Sequence, residues 1–396
     1  MVKSNAIGWL FLALSVVCSI AQGSGKSVTS TIPDSAAYLG QKRPGTTPER
    51  FPLPVITGSF TAERIAISND GRNIYYSELD GYTEMDGKPH TVRLKRLTYA
   101  DGTWNPPVTL FDSVFAPSLS LNGDTMYVEA GVKKAFITVR DGNVWRPLTR
   151  VFPQLKVTHY FQATAGGKRY ISSVAAGGVG VIDRCLMTIK GDSVAVSSLG
   201  LPVNETGYNF DYVVSPDESY MILPNSSGQL CISYVKPDGG WTNPKSLGPA
   251  INFGLAAWGA YITADQKLLF YTTGTKPDYS DTYVYWASLP GLVDSLRHTN
   301  FAPYAMEKLT SQADSVGKPV TFTIPDKAFV DDDGNAALTY SASLADGIAL
   351  PTWLRFDPIT RTFSGIPPEK GTVSIKVTAT DPSGAAASAS FDIQVL

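Results

Sequence analysis

From Ile65 onward one pattern returns along the chain: an apolar run, a turn of Asp, Asn or Gly, a polar residue, then a second apolar run. Ile65–Tyr76, turning at Asp70-Gly71, and Pro117–Val128, turning at Asn122-Gly123, are the clearest copies. Phe161–Ile171, Tyr212–Ile222 and Ala260–Phe270 follow, turning at Gly166, Pro216 and Ala264. The turns are spaced by 52, 44, 50 and 48 residues. Each copy reads as a hairpin, because Asn-Gly and Asp-Gly supply the positive φ that a tight connection needs.

A second turn with a tryptophan comes after three of the hairpins: Asp101-Gly102 with Trp104, Asp141-Gly142 with Trp145, and Asp238-Gly239 with Trp241. The third repeat keeps only Gly191-Asp192 and lacks the tryptophan, so it is degenerate. A period near fifty, with four strands and an aromatic wedge in each, predicts propeller blades. The repeats, the lead-in Tyr38–Phe51 and the segment Trp241–Asn252 resemble the WD40-like propeller repeats of TolB-type bacterial envelope proteins. That resemblance spans about residues 38–296 and speaks to fold, since this architecture hosts many activities. Five blades are visible, and a sixth closed by Phe51–Ile56 is an open alternative.

After Leu296 the texture changes. Residues 298–304 are polar and contain Pro303, which reads as a linker. Val320–Ile324, Leu338–Ala342, Val373–Ala379 and Ser390–Val395 then alternate apolar and polar residues. Period two over such runs predicts a sandwich at residues 305–396, with one buried face per strand. This part resembles the dystroglycan-type cadherin-like, or "putative Ig", modules of bacterial surface proteins. The residues that carry the likeness include Asn300, Ala302-Pro303, Asp331–Asn335, Trp353, Phe356-Asp357, Phe363, Gly365, Pro367 and Asp381. It implies that Trp353, Phe356 and Phe363 are core residues and that Gly365–Pro367 makes a fixed turn. The fold class is therefore all-β: a five- or six-bladed propeller at 59–297, preceded by a lead-in at 22–58, plus an Ig/cadherin-like sandwich.

Composition sharpens this picture at four points. Met1–Lys3, an apolar run Ile7–Val17 and small residues at Ser19 and Ala21 read as a signal peptide over residues 1–21. The run is too short to span a bilayer, so the mature chain is expected in the periplasm, on the surface or secreted, without a transmembrane span. Cys18 also admits lipidation and envelope association, although Val17 stands where a lipidation signal places a small residue. A net charge of −2 with no basic stripe argues against nucleic acid. Cys185 and Cys231 occupy matching apolar runs and read as buried free thiols rather than a pair.

Calcium is the one cofactor with sequence support. Asp331, Asp333 and Asn335 alternate in a short turn, Asp381 lies in a second turn and Asn300 in the linker, so their oxygens could gather round a hard cation. The plain alternative is a solvated acidic turn. None of His90, His159 or His298 has a partner at metal or nucleophile spacing, and Gly177-Gly178 opens no helix. At the starts of the inner strands stand Glu63, Phe115, Tyr160, Asp211 and Trp258. The aromatics suit stacking on a sugar or peptide, and Phe115, Tyr160, Asp211 and Trp258 are the candidate ligand-binding residues. Glu63 and Asp211 are candidates for paired-carboxylate chemistry. The balance favours an exported binding or scaffold protein for a glycan or protein ligand over an enzyme. The alternatives are a propeller glycoside hydrolase or polysaccharide lyase, and a TolB-like part of an envelope complex.

Overall fold

The computed structural model describes residues 32–82, 87–131 and 133–396; the segment read as a signal peptide, Cys18 included, lies outside them. Residues 49–288 form five antiparallel sheets, each entered by its inner strand. Those inner strands are Phe60–Ile67, Val114–Leu119, His159–Ala163, Val213–Val214 and Ala256–Ile262. Each turns back through the predicted hairpin. Ser68, Ser120, Thr164, Ser215 and Thr263 open the turns, and Gly71, Gly123, Gly167, Glu218 and Gln266 hold the positive φ. Where glycine is missing, at Glu218 and Gln266, Asp217 and Asp265 brace the turn by bonding Ser215 and Thr263.

The sheets are tied to one another in a ring. Ala116 N–H donates to Ser77 Oγ between the first and second sheets, at 3.3 Å. Tyr160 N–H donates to Glu129 between the second and third, at 2.5 Å. Gln162 exchanges two bonds with the backbone of Val214 between the third and fourth. Ala257 N–H reaches Gly228 between the fourth and fifth. The fifth returns to the first at Gly259, where a Cβ would stand 2.6 Å from the Glu63 and Arg64 backbone. Only glycine allows that approach, and its φ of +61° adds a second reason.

The ring is fastened by its beginning. Glu49–Arg50 pairs with Tyr285 and Trp286 as the outer strand of the fifth sheet. A sheet of three strands would leave an unpaired edge there, and the lead-in covers it. Residues 51–56 therefore form no sixth sheet; Phe51 instead lies buried between Phe270 and Trp286, with ring centroids 5.0 and 5.1 Å away. Trp145 acts as the predicted wedge, edge-on to Tyr75 of the first sheet at 5.9 Å. Trp104 packs against the cluster that joins the first and fifth sheets and also on the lead-in, where its Nε1–H donates to Ala36 O. In the repeat without a tryptophan, Asp183–Lys190 and Ser193–Ser198 pair directly as a tight hairpin. Cys185 and Cys231 are free and buried.

A helix that the strand pattern does not foretell, Pro290–Arg297, follows the last sheet. Pro290 starts it, where a missing N–H costs nothing. Val293 packs with Tyr234 and Phe301 in the largest core cluster. The C-terminal part opens with Tyr304–Ala305 paired to Phe329–Val330, one residue ahead of the predicted boundary. Its two larger sheets close on Phe363, Phe391, Ile375 and Val377, each buried. Phe363 is a core residue as the resemblance implies, while Trp353 and Phe356 are partly buried against it. Gly365 is required by contact, since a Cβ would lie 2.1 Å from Trp353 O. Among the described residues no helix is long and apolar enough to cross a membrane.

Fastening by the lead-in predicts a large cost for Phe51→Ala. We expect a loss of about 3–5 kcal/mol in urea unfolding, as for other buried aromatic truncations. Ile359→Ala, at a residue 91% exposed, should shift stability by no more than about 0.5 kcal/mol.

Candidate functional site

Near the start of four of the five inner strands the pairing register slips. The bulges fall between Ala62 and Ala66, Phe115 and Ser118, His159 and Gln162, and Trp258 and Tyr261. Inside them one residue takes positive φ: Glu63 (69°), Ala116 (52°), Tyr160 (49°) and Gly259 (61°). For a glutamate and a tyrosine this backbone is uncommon and costs about 1 kcal/mol or more. The bulges re-aim these side chains out of the usual alternation, and Tyr160 Oη donates to Glu63 Oε2 at 2.6 Å across the ring.

Around that bond stands a buried polar network. His159 stacks on Tyr160, with centroids 4.2 Å apart, and lies between two carboxylates. Its Nδ1 is 2.6 Å from Glu129 Oε2 and its Nε2 is 2.7 Å from Asp211 Oδ1. Tyr212 Oη donates to Tyr160 O at 2.7 Å. The Arg64 guanidinium lies over the Tyr160 ring at 4.4 Å, and Arg184 Nε donates to Asp211 O at 2.9 Å. Glu129, His159, Arg64 and Arg184 are each 3% exposed, so they form the scaffold of the site. Glu63 is only half-buried and the Asp211 side chain keeps 14% of its surface, so both reach solvent.

The two accessible carboxyls are pushed apart in acidity. Burial first, then the Asp211 charge, raise Glu63 to about 7, while the Tyr160 hydrogen bond pulls the other way. Asp211 is held below its ordinary value: burial would raise it, but the bond and charge of His159 prevail. Burial would lower His159, yet Glu129 and then Asp211 lift it to about 8. At neutral pH the imidazole is charged and donates to both carboxylates.

The predicted residues divide into two neighbouring groups. Tyr160, Asp211 and Phe115 belong to the network or pack on it, with Tyr160 fully buried and Phe115 half-buried. Trp258 stands in an edge-to-face trio with Tyr279 and Tyr82, at centroid distances of 5.4 and 6.4 Å. Burial first, and then the nearby Glu63 charge, raise the Tyr82 phenol. On the other side Lys133 Nζ sits 4.0 Å over the Phe210 ring. His159, which has no partner at metal or nucleophile spacing along the sequence, gains two hydrogen-bond partners from the strands and loops packed beside it. Sequence reasoning also missed Glu129, Arg64, Tyr82 and Tyr279. A signal existed for Glu129: a charge inside the apolar strand Thr125–Ala130 needs a buried partner.

The residues assigned to calcium meet at the seam between the ring and the C-terminal part. Asn300 Nδ2 donates to Asp381 Oδ2, and Phe301 N–H to Asp333 Oδ2. Asp333 N–H donates to Asp331 Oδ1, and Asp331 N–H to Asn335 Oδ1. These oxygens thus serve as turn and cap acceptors. Among the described residues no three His, Cys, Asp or Glu side chains are grouped to hold a metal ion. Burial, and then the charges of Asp333 and Asp381, nonetheless raise Asp331. The strut across the seam is Asp332, which accepts from Lys236 Nζ at 3.2 Å and Asn243 N–H at 2.6 Å.

Glu63 and His159 act alike on stability. Both bind their protons more tightly folded than unfolded, so both contributions are present at low pH and lost as pH rises. The windows are about 4.5 to 7 for Glu63 and 6.5 to 8 for His159. Urea midpoints should therefore fall between pH 5 and 8.5, and Glu63→Gln should flatten the acidic half of that decline.

Residues 303–396 match the family model described as "Putative Ig domain", which makes the C-terminal part Ig-like. No curated protein matches the chain. A Bacteroides fragilis protein described as a "putative alpha-galactosidase" is 20% identical over 24% of this chain and 18% of its own, with a TM-score of 0.19. This chain thus spans under a fifth of that protein. An oligogalacturonate lyase from Vibrio parahaemolyticus is 11% identical over 60% of this chain and 68% of its own, at TM-score 0.35. The extracellular domain of a "putative hybrid two component system" from Bacteroides thetaiotaomicron is 9% identical over 84% and 44%, at 0.36.

Proposed function

We propose that this is an exported binding protein whose ring takes an extracellular ligand at the mouth, with the Ig-like part as spacer or adhesion module. One observation carries the reading. The half-buried rings of Tyr82, Trp258 and Tyr279 stand beside two solvent-reachable carboxyls, Glu63 and Asp211. Such a wall offers apolar faces for the C–H surface of a sugar and acceptors for its hydroxyls. The loops at the same end of the ring add exposed Val181, Tyr208, Phe253 and Leu255, which suits contact with an extended ligand. A glycan is therefore the first ligand to seek, with peptides the second.

Calcium is part of the proposal at the seam, where a bound ion would relieve the repulsion among Asp331, Asp333 and Asp381 and stiffen the joint. It would draw on those carboxylates together with Asn300 and Asn335.

The test is a glycan and peptide array probed with the whole chain, with and without calcium. We expect a glycan hit that weakens about tenfold or more in Trp258→Ala and Tyr279→Ala, as loss of a central aromatic contact does. Binding unchanged in both variants would remove the mouth from the ligand site. A melting temperature indifferent to calcium would remove the ion from the seam.

A further inference from the structure

The mouth holds more than binding requires. Two strained bulges are kept at Glu63 and Tyr160, though glycine or alanine fills the same position in the second and fifth sheets. Their strain serves one contact, the Tyr160–Glu63 hydrogen bond. That bond fixes Glu63 Oε2, while Oε1 has no protein donor among the described residues and the side chain keeps partial exposure. Asp211 is oriented differently, with Oδ1 fixed by His159 and its backbone carbonyl by Arg184. One carboxyl is thus backed by a neutral phenol and the other by an imidazolium, and both reach solvent. Two carboxyls so separated in environment divide into an acid and a base.

We propose that the mouth hydrolyses a glycosidic bond, with Glu63 as general acid and Asp211 as general base. This rests on the reading of the mouth as a glycan site and goes beyond it by assigning a reaction. Glu63, which is about half protonated at pH 7, passes its proton to the departing glycosidic oxygen as the anomeric C–O bond breaks. A water adds its oxygen to the anomeric carbon and loses a proton to the Asp211 carboxylate. One bond is cleaved, one water is consumed, and no oxidant or metal enters the balance. Proton exchange with solvent then restores Glu63 to its acid form and Asp211 to its anion. Tyr160 is a positioning residue, because it holds Glu63 without reaching the substrate. His159 and Glu129 hold Tyr160 and Asp211 in turn.

The experiment mixes the whole chain with the glycan returned by the array, and in parallel with pectic, other plant and microbial polysaccharides, and reads new reducing ends. The wild type should release them. Glu63→Gln should lower kcat/KM about 100- to 10,000-fold, well beyond any loss it causes in array binding. Asp211→Asn should lower it over the same range, and it serves as the second variant should Glu63→Gln lose its fold by circular dichroism. The alkaline limb of the kcat/KM profile should lie near pH 7, set by Glu63. Tyr160→Phe should move that limb upward, since the bond it removes favours the Glu63 anion. A merely structural tyrosine would lower activity without moving the limb. Glycan binding with no reducing ends released, or undiminished cleavage by both carboxyl variants, overturns the hydrolytic assignment and leaves the binding reading intact. A chain that neither binds nor cleaves any glycan overturns both.

Discussion

Tyr160 is the residue on which the centre of the ring depends. Its N–H is given to Glu129 of the second sheet, its carbonyl receives Tyr212 before the fourth, and its hydroxyl reaches Glu63 of the first. One residue in a strained backbone thus ties three other sheets to its own. Buried polar groups are costly unless every bond is made, so this knot fixes the arrangement of sheets as well as holding it. It also explains why charge can stand in the interior: each of Glu129, His159 and Asp211 finds its partner only when the second, third and fourth sheets pack side by side.

The same constraint decides what could be read from the sequence. Hairpins were legible because each is local: Asp70-Gly71 and Asn122-Gly123 carry their turn geometry in their own residues. The Ig-like part was legible for a similar reason, with Phe363 and Gly365 at fixed places in a dense pattern. The positions of Tyr160 and Asp211 followed from repeat register, which put residues at strand starts without saying what they touch. His159 escaped because its partners lie 30 and 52 residues away and are joined to it only by closure. The helix Pro290–Arg297 escaped because Val293 and its neighbours are helical in service of packing on Tyr234 and Phe301 rather than from a long periodic stretch.

The two parts of the chain meet on polar terms. Lys245 Nζ lies 3.1 Å over the Phe301 ring, Phe301 itself enters the core beside Tyr234, and Asp332 receives Lys236 and Asn243. The acidic turn that the sequence suggested as an ion site therefore already acts as a buckle between the parts. That places the joint and the mouth in different regions of the ring, so rigidity at one can be altered without dismantling the other.

The central claim is that ring closure sets Glu63 beside Asp211 in a partly desolvated mouth. Site-resolved carbon NMR of the Glu63 carboxyl, followed from pH 4 to 9 in the wild type and in Asp211→Asn, tests it most directly. The account predicts a midpoint near 7 that drops toward the ordinary glutamate range when the Asp211 charge is removed. A wild-type midpoint of about 4.3, as for an exposed glutamate, and unmoved by that substitution, would contradict it.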